Sequence, residues 1–151
     1  LVERELVLYS ASVVTEYLDE RYPHPPLMPI DPLSRARLRL AMLRLEHEWV
    51  PHVQAAQQAG SKAQADNARK QLRDLVLAAL PLFKASKFFL NPEMSLADCA
   101  MAPIIWRLPS LGIVLPKEAK PIDDYGQRIF RNPGFIRSLT PEEKALREIP
   151  A

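Results

Sequence analysis

The chain has three histidines and one cysteine, the residue types here whose chemistry could support a metal site or a nucleophile. His47 and His52 lie in EHEWVPH, but they are five residues apart with Pro51 between them, whereas two zinc ligands on one helical face need a spacing of four. Cys99 lies in an apolar stretch without a nearby base, which favours a small core residue over a nucleophile. The four glycines form no phosphate-binding loop. We therefore predict no catalytic residue, no metal site and no cofactor.

The third histidine lies in the proline-rich stretch PHPPLMP, residues 23–29. Each proline lacks an N–H and biases the residue before it toward extended geometry, so this segment is predicted to be a stiff loop. A histidine on such a backbone can dock with a partner at a small cost in conformational entropy. The predicted partner-binding residues are Pro23, His24, Pro25, Pro26 and Leu27. The alternative is a spacer that only fixes the angle between two domains, with Leu27 and Met28 filling the crevice between them.

The next predicted helix, over about residues 32–49, has two apolar stripes on nearly opposite faces. One stripe consists of Ala36, Leu40, Leu43, His47 and Val50. The other consists of Leu38, Met42, Leu45 and Trp49. One stripe can pack on the domain's own core, and the other then needs a partner, so we predict a two-fold homodimer interface at Leu38, Met42, Leu45 and Trp49. The alternative is a central helix surrounded by its own domain.

The start of the chain predicts short strands, and the rest predicts helices. LVERELVLY, residues 1–9, has the pattern of a hairpin. A helix should follow from Ser10 or Ser12 to about residue 21. Its predicted buried residues are Val13, Val14, Tyr17 and Leu18.

Further helices are predicted after Pro51, which should end the helix over 32–49. They cover about residues 62–80, the apolar segment after Ser95, about residues 121–131, and a short segment after Thr140. Ser95 and Asp98 are spaced as a capping box, which predicts a structural cap at the start of the most buried helix.

The composition is typical of one globular domain, with 151 residues of which 48% are apolar and 25% are charged. The net charge of +2 comes from 20 basic and 18 acidic residues, and no polybasic block indicates direct contact with DNA. A single cysteine fits a reducing compartment, and the apolar runs are shorter than a membrane span. We expect a cytoplasmic protein without a membrane partner.

The capped stretch SLADCAMAP, preceded by LVERELVLY and VVTEYLDERYP, resembles the glutathione transferase superfamily. PHPPLMP together with WRLPSLGI is similar to the stringent starvation protein A family, bacterial proteins that associate with RNA polymerase and have no known transferase activity. The resemblance implies an all-α, glutathione transferase-like C-terminal helical domain over 33–151. A linker over 23–32 and the last hairpin and helix of a thioredoxin-like domain over 1–22 would precede it.

The same resemblance implies a non-enzymatic, homodimeric transcription regulator that binds RNA polymerase and its primary sigma factor, and reaches DNA only through the polymerase. Ser10 and Ala11 stand where glutathione transferases carry an acidic or amide residue and a serine that hold the γ-glutamyl unit. Asp31 stands at an expected aromatic position, which would alter the partner pocket. The alternatives are a divergent glutathione transferase or glutathione-dependent reductase, with its catalytic residues in a preceding segment, and a translation or chaperone scaffold.

Overall fold

The computed structural model describes residues 1–147, so the last four residues of the predicted 33–151 domain lie outside it. A short antiparallel hairpin opens the chain, as predicted, with β1 at Val2–Glu3 and β2 at Leu6–Val7. Arg4, in the turn between the strands, takes the left-handed conformation with φ 52°. Helix α1, Ala11–Arg21, follows with Ser10 at its N-cap.

Helix α1 leaves apolar side chains near solvent, which corrects the prediction of a buried apolar face. Val13 is 51% exposed and Leu18 is 37% exposed, whereas Asp19 is buried. Helix α1 contacts the next helix through a charged pair, in which Glu16 accepts hydrogen bonds from the guanidinium of Arg39. These hydrogen bonds lower the pKa of the Glu16 carboxyl from its usual value.

The predicted second helix is longer than expected. Helix α2, Pro32–Arg44, continues through a π-helical turn, Leu45–Trp49, into α3, Val50–Gln58. The prediction that Pro51 ends the helix is therefore wrong. In the π turn the Val50 N–H donates to the carbonyl of Leu45, five residues back, and this wider turn accommodates the pyrrolidine ring in the first turn of α3.

Six more helices complete the part of the chain that the structure describes. They are α4 Lys62–Ala78, α5 Leu80–Ala85, α6 Leu96–Arg107, α7 Lys120–Phe130, α8 Pro133–Ser138 and α9 Pro141–Ala145, with a 3-10 turn at Lys117–Ala119 before α7. These bounds confirm the predicted helices near 62–80, after Ser95, near 121–131 and after Thr140. Helix α8 was not predicted, because Asn132 and Pro133 are typical stop signals. Here Asn132 instead caps the next helix, accepting a hydrogen bond from the Gly134 N–H at 2.8 Å.

Helix α6 lies at the centre of the core, between α2 and α7, while α3 packs against α4. Its buried side chains are almost all apolar, as the sequence predicts for a helix with few charges. Helix α7 is amphipathic and adds Ile122, Tyr125 and Ile129 to the same core. The fold thus holds the start of α6 rigidly, and the proline-rich loop runs past that point.

The stripe predicted to form a dimer interface lies inside this core. Leu38 is 2% exposed, Met42 8%, Leu45 3% and Trp49 6%. The premise that these four residues lack a partner within the domain is wrong, because α6 and the other core elements already cover them. The opposite stripe is the open one, since Leu40 is 58% exposed and Leu43 is 51% exposed. The structure therefore matches neither expectation in full, because the domain covers one stripe of this helix and leaves the other in solvent, so the helix is not surrounded by its own domain.

Candidate partner-binding loop

The proline-rich loop is fixed at its C-terminal end by a side chain from α1. The two carboxylate oxygens of Asp19 accept hydrogen bonds from consecutive backbone N–H groups, from Leu27 at 2.7 Å and from Met28 at 3.0 Å. Asp19 is only 9% exposed, so little water competes for these bonds. The loop is therefore tied to the helix that precedes it.

Two further contacts fix the same end of the loop to the helical domain. The carbonyl of Leu27 accepts a hydrogen bond from the Leu96 N–H at 3.1 Å, at the start of α6. The side chain of Met28 is 5% exposed within the core, and Leu27 packs against that core. Residues 27–28 therefore anchor the loop, and Leu27 contributes to this anchor rather than to the exposed surface on which the sequence placed it.

The other predicted loop residues lie together at the surface. Pro23, His24, Pro25 and Pro26 are all exposed, and the His24–Pro25 peptide bond is cis. The His24 N–H donates to the carbonyl of Tyr22 at 2.9 Å, and the His24 residue is exposed. The structure therefore presents four of the five predicted residues as one exposed surface, which we call the proline–histidine surface (Pro23, His24, Pro25 and Pro26).

The predicted capping box at the start of α6 is confirmed. The Ser95 N–H donates to Asp98 Oδ2 at 2.8 Å, and the Ser95 hydroxyl donates to the same oxygen at 3.2 Å. Sequence reasoning missed the other half of the arrangement, in which Asp98 Oδ1 accepts from the Phe89 N–H and from the Tyr125 hydroxyl, each at 2.8 Å. One carboxylate thus joins the α5–α6 loop, the start of α6 and the middle of α7.

Burial sets the proton affinity of this network. Asp98 is fully buried, and burial raises the pKa of its carboxyl although the four hydrogen bonds oppose that shift. Burial and the neighbouring Asp98 charge also raise the pKa of the Tyr125 hydroxyl, so it donates a hydrogen bond and does not ionise. These residues lie deep in the core, and their arrangement is structural.

A groove of about 640 Å³ lies between the start of α1, the π turn with α3, and α6. Cys99 lines it, but burial raises the pKa of that thiol to about 11, so little thiolate is present near neutral pH. The hydroxyl of Ser10 shares a hydrogen bond with that of Ser12 at 2.9 Å, and Ala11 offers only a methyl group. Within residues 1–147 no cluster of histidine, cysteine or acidic side chains is arranged to hold a metal ion. The groove offers apolar surface without an activated nucleophile.

Asp31 serves as a helix cap. Its carboxylate accepts a hydrogen bond from the Ser34 N–H at 2.8 Å at the start of α2, and this bond lowers the pKa of the carboxyl. Sequence reasoning treated Asp31 only as a missing aromatic ring. The signal for the cap was present, because an N-cap aspartate followed by proline at the first helical position is a typical helix start.

Comparison with known proteins identifies the family of the chain. Residues 40–133 match the family model of the glutathione S-transferase C-terminal domain. A stringent starvation protein A homolog of Histophilus somni is 44% identical over 140 residues, which are 92% of this chain and 66% of that protein. The homolog of Coxiella burnetii is 42% identical over 150 residues, which are 99% of this chain and 71% of that protein. The chain belongs to the stringent starvation protein A family. It spans about two thirds of the length of these relatives.

Solved structures show the same fold at low sequence identity. The theta class glutathione S-transferase of Xanthomonas axonopodis pv. citri, with glutathione bound, superposes with a TM-score of 0.77 at 18% identity, over 87% of this chain and 73% of that one. BphK, a bacterial glutathione S-transferase, superposes with a TM-score of 0.79 at 14% identity, over 92% of this chain and 68% of that one. In the described part of this stringent starvation protein A family member, no helix is both long and apolar enough to cross a membrane.

Proposed function

We propose that this protein is a non-enzymatic transcription regulator that binds RNA polymerase carrying its primary sigma factor, with the proline–histidine surface as a point of contact. The family membership suggests a regulator. The resemblance of PHPPLMP and WRLPSLGI to the same family suggests RNA polymerase as its partner. The observation that carries the proposal is the exposure of four successive residues, 23–26, beside an anchor at Leu27 and Met28 that is held by hydrogen bonds and core packing.

The chemistry of this surface suits a protein partner. A neutral imidazole can donate one hydrogen bond and accept another, and the proline rings around His24 offer apolar area. The surface carries no cluster of positive charge, which a phosphate backbone would require. Because the backbone is already ordered, docking loses less conformational entropy than it would on a flexible loop.

Co-purification tests the proposal directly. Tagged full-length protein, in nuclease-treated extract, should retain RNA polymerase together with its primary sigma factor, and purified holoenzyme should bind it without DNA. Retention of ribosomes or chaperones instead of polymerase would favour the scaffold alternative. Failure to bind purified holoenzyme at micromolar concentration would contradict the proposal.

A glutathione-dependent enzyme is the second candidate, because the fold is shared with a glutathione-bound transferase and a groove adjoins α1. We expect no measurable glutathione binding near physiological concentrations, since Ser10 and Ala11 replace a charge-assisted contact and a hydroxyl that together stabilise binding by roughly 2–4 kcal/mol. Calorimetry on the full-length protein checks this. A variant with Ser10→Glu and Ala11→Ser is the matched control, since it restores both groups. A dissociation constant at or below about 1 mM for the wild type would support the enzyme.

The homodimer remains a prediction. Because Leu38, Met42, Leu45 and Trp49 are buried, the candidate dimer interface is now the opposite stripe of α2. Leu40 and Leu43 lie on that stripe and are more than half exposed, so Leu40→Glu with Leu43→Glu should give monomers that keep their helicity. Sedimentation at tens of micromolar and circular dichroism measure the two properties. Val114→Glu is the control, at a site that is 79% exposed on another surface. A wild-type monomer, or a dimer unaffected by the Leu40 and Leu43 changes, would contradict the prediction.

A further inference from the structure

Asp19 is a buried acidic side chain that belongs neither to the α6 cap nor to an ion pair among the described residues. Its neighbours on α1 behave differently, because Glu16 and Glu20 both face the guanidinium of Arg35 at 3.7 Å. The carboxylate of Asp19 instead points to the proline-rich loop and accepts the N–H groups of Leu27 and Met28. Neither helix formation nor charge pairing explains an acidic residue at this position.

One carboxylate can fix a loop by accepting hydrogen bonds from its backbone, and Asp19 has the geometry for this. Two oxygens accept two successive N–H groups, and a hydrogen bond to a charged acceptor is stronger than a neutral one. The Met28 bond is fully buried, so removing the carboxylate would leave that N–H without an acceptor in a place where water cannot easily replace it. The side chain therefore closes the segment between residues 19 and 28 into a fixed turn around the exposed residues.

We propose that Asp19 is the positioning residue of the proline–histidine surface. It sets the place and direction of His24 by holding the loop's C-terminal end on α1, while Pro23, Pro25 and Pro26 stiffen the backbone between these points. The inference rests on the proposed function, because it assigns Asp19 a role in binding the same partner. Asp19 does not touch that partner, and it acts only through the loop.

The experiment compares Asp19→Ala with Glu20→Ala, an exposed acidic residue next to it on α1. In the full-length protein Asp19→Ala should speed hydrogen exchange at the Leu27 and Met28 amides. It should also weaken holoenzyme binding about tenfold, because the conformational entropy of ordering the loop is then lost during binding. Glu20→Ala should change neither quantity. Asp19→Asn keeps one acceptor oxygen, so it should protect one of the two amides and bind with intermediate affinity.

A double-mutant cycle with His24→Ala separates a positioning role from general stability. If Asp19 acts through the loop, Asp19→Ala should cost much less affinity in the His24→Ala background than in the wild type. Equal losses in both backgrounds would overturn the inference, as would wild-type binding by Asp19→Ala. If Asp19→Ala does not fold, as judged by exchange at α6 amides, the same cycle is run with Asp19→Asn.

The two proposals fail in different ways. Normal binding by His24→Ala contradicts the proline–histidine surface as the point of contact, whatever Asp19 does. Suppose instead that His24→Ala weakens binding, while Asp19→Ala changes neither binding nor hydrogen exchange at the Leu27 and Met28 amides. That result contradicts only the positioning role of Asp19.

Discussion

Replacing Asp98 by alanine is expected to lower the free energy of unfolding by about 3–5 kcal/mol, a loss as large as that of truncating a buried core side chain. The carboxylate is fully buried and accepts four hydrogen bonds, from the Phe89 N–H, from the Ser95 N–H and hydroxyl, and from the Tyr125 hydroxyl. Alanine leaves these donors buried without an acceptor and also removes the Asp98 half of the α6 capping box, in which its carboxylate accepts the Ser95 N–H.

Urea unfolding of the full-length protein, followed by circular dichroism, measures this effect. Two partial variants make the test specific. Tyr125→Phe removes one donor but keeps the ring, whose centroid lies 5.0 Å from that of Phe83, and should cost about 1 kcal/mol. Ser95→Ala removes one hydroxyl and should cost about 0.5–2 kcal/mol. A loss below about 1 kcal/mol for Asp98→Ala would contradict the role of this carboxylate in joining three elements.

The Asp98 network also shows how far the sequence alone could lead. The cap was predictable because Ser95 and Asp98 are three residues apart, and that spacing determines their contact in the first turn of any helix. The bond to Tyr125 was not, because the two residues are 27 positions apart and only the packing of α7 on α6 brings them together. An additional signal was available, since Tyr125 lies on the apolar face of an amphipathic helix, where a hydroxyl needs a buried acceptor.

The long helix shows a limit of a different kind. Periodicity correctly identified two apolar stripes on α2, but it carries no information about which stripe the domain covers. The burial of Leu38 and Trp49 is decided by the position of α6, which lies far along the chain. Proline rules likewise predict a break at Pro51, because they assume an α-helical turn, and the π turn that accommodates this proline has no sequence signal of its own.

The sequence predicts that the proline–histidine surface is stiff, but it does not predict which residue anchors the loop. Prolines restrict their own backbone and that of their neighbours, so a rigid exposed loop follows from local rules. The acceptor for the Leu27 and Met28 amides is Asp19, which the sequence presents as one acid among several on a charged helix. Only the path of the loop back across α1 distinguishes Asp19 from Glu16 and Glu20.

Loss of His24 is expected to weaken holoenzyme binding strongly while leaving the fold intact. His24→Ala should reduce affinity about thirtyfold or more, the effect of losing one binding hot spot, and the pair His24→Ala with Pro25→Ala should reduce it further because the backbone also becomes more flexible. Both residues are exposed, so the melting temperature should stay within about 2 °C of the wild type.

His52→Ala is the matched control, because this histidine lies on α3, away from the loop, and should not change binding. Titration of labelled full-length variants with purified holoenzyme measures affinity, and thermal unfolding measures stability. A spacer that only fixes the angle between two domains would need the stiffness of the prolines and the packing of Leu27 and Met28, but not an exposed imidazole. Normal binding by both variants, or loss of binding only together with unfolding, would therefore show that residues 23–26 are a spacer, and the polymerase contact would have to lie elsewhere on the protein.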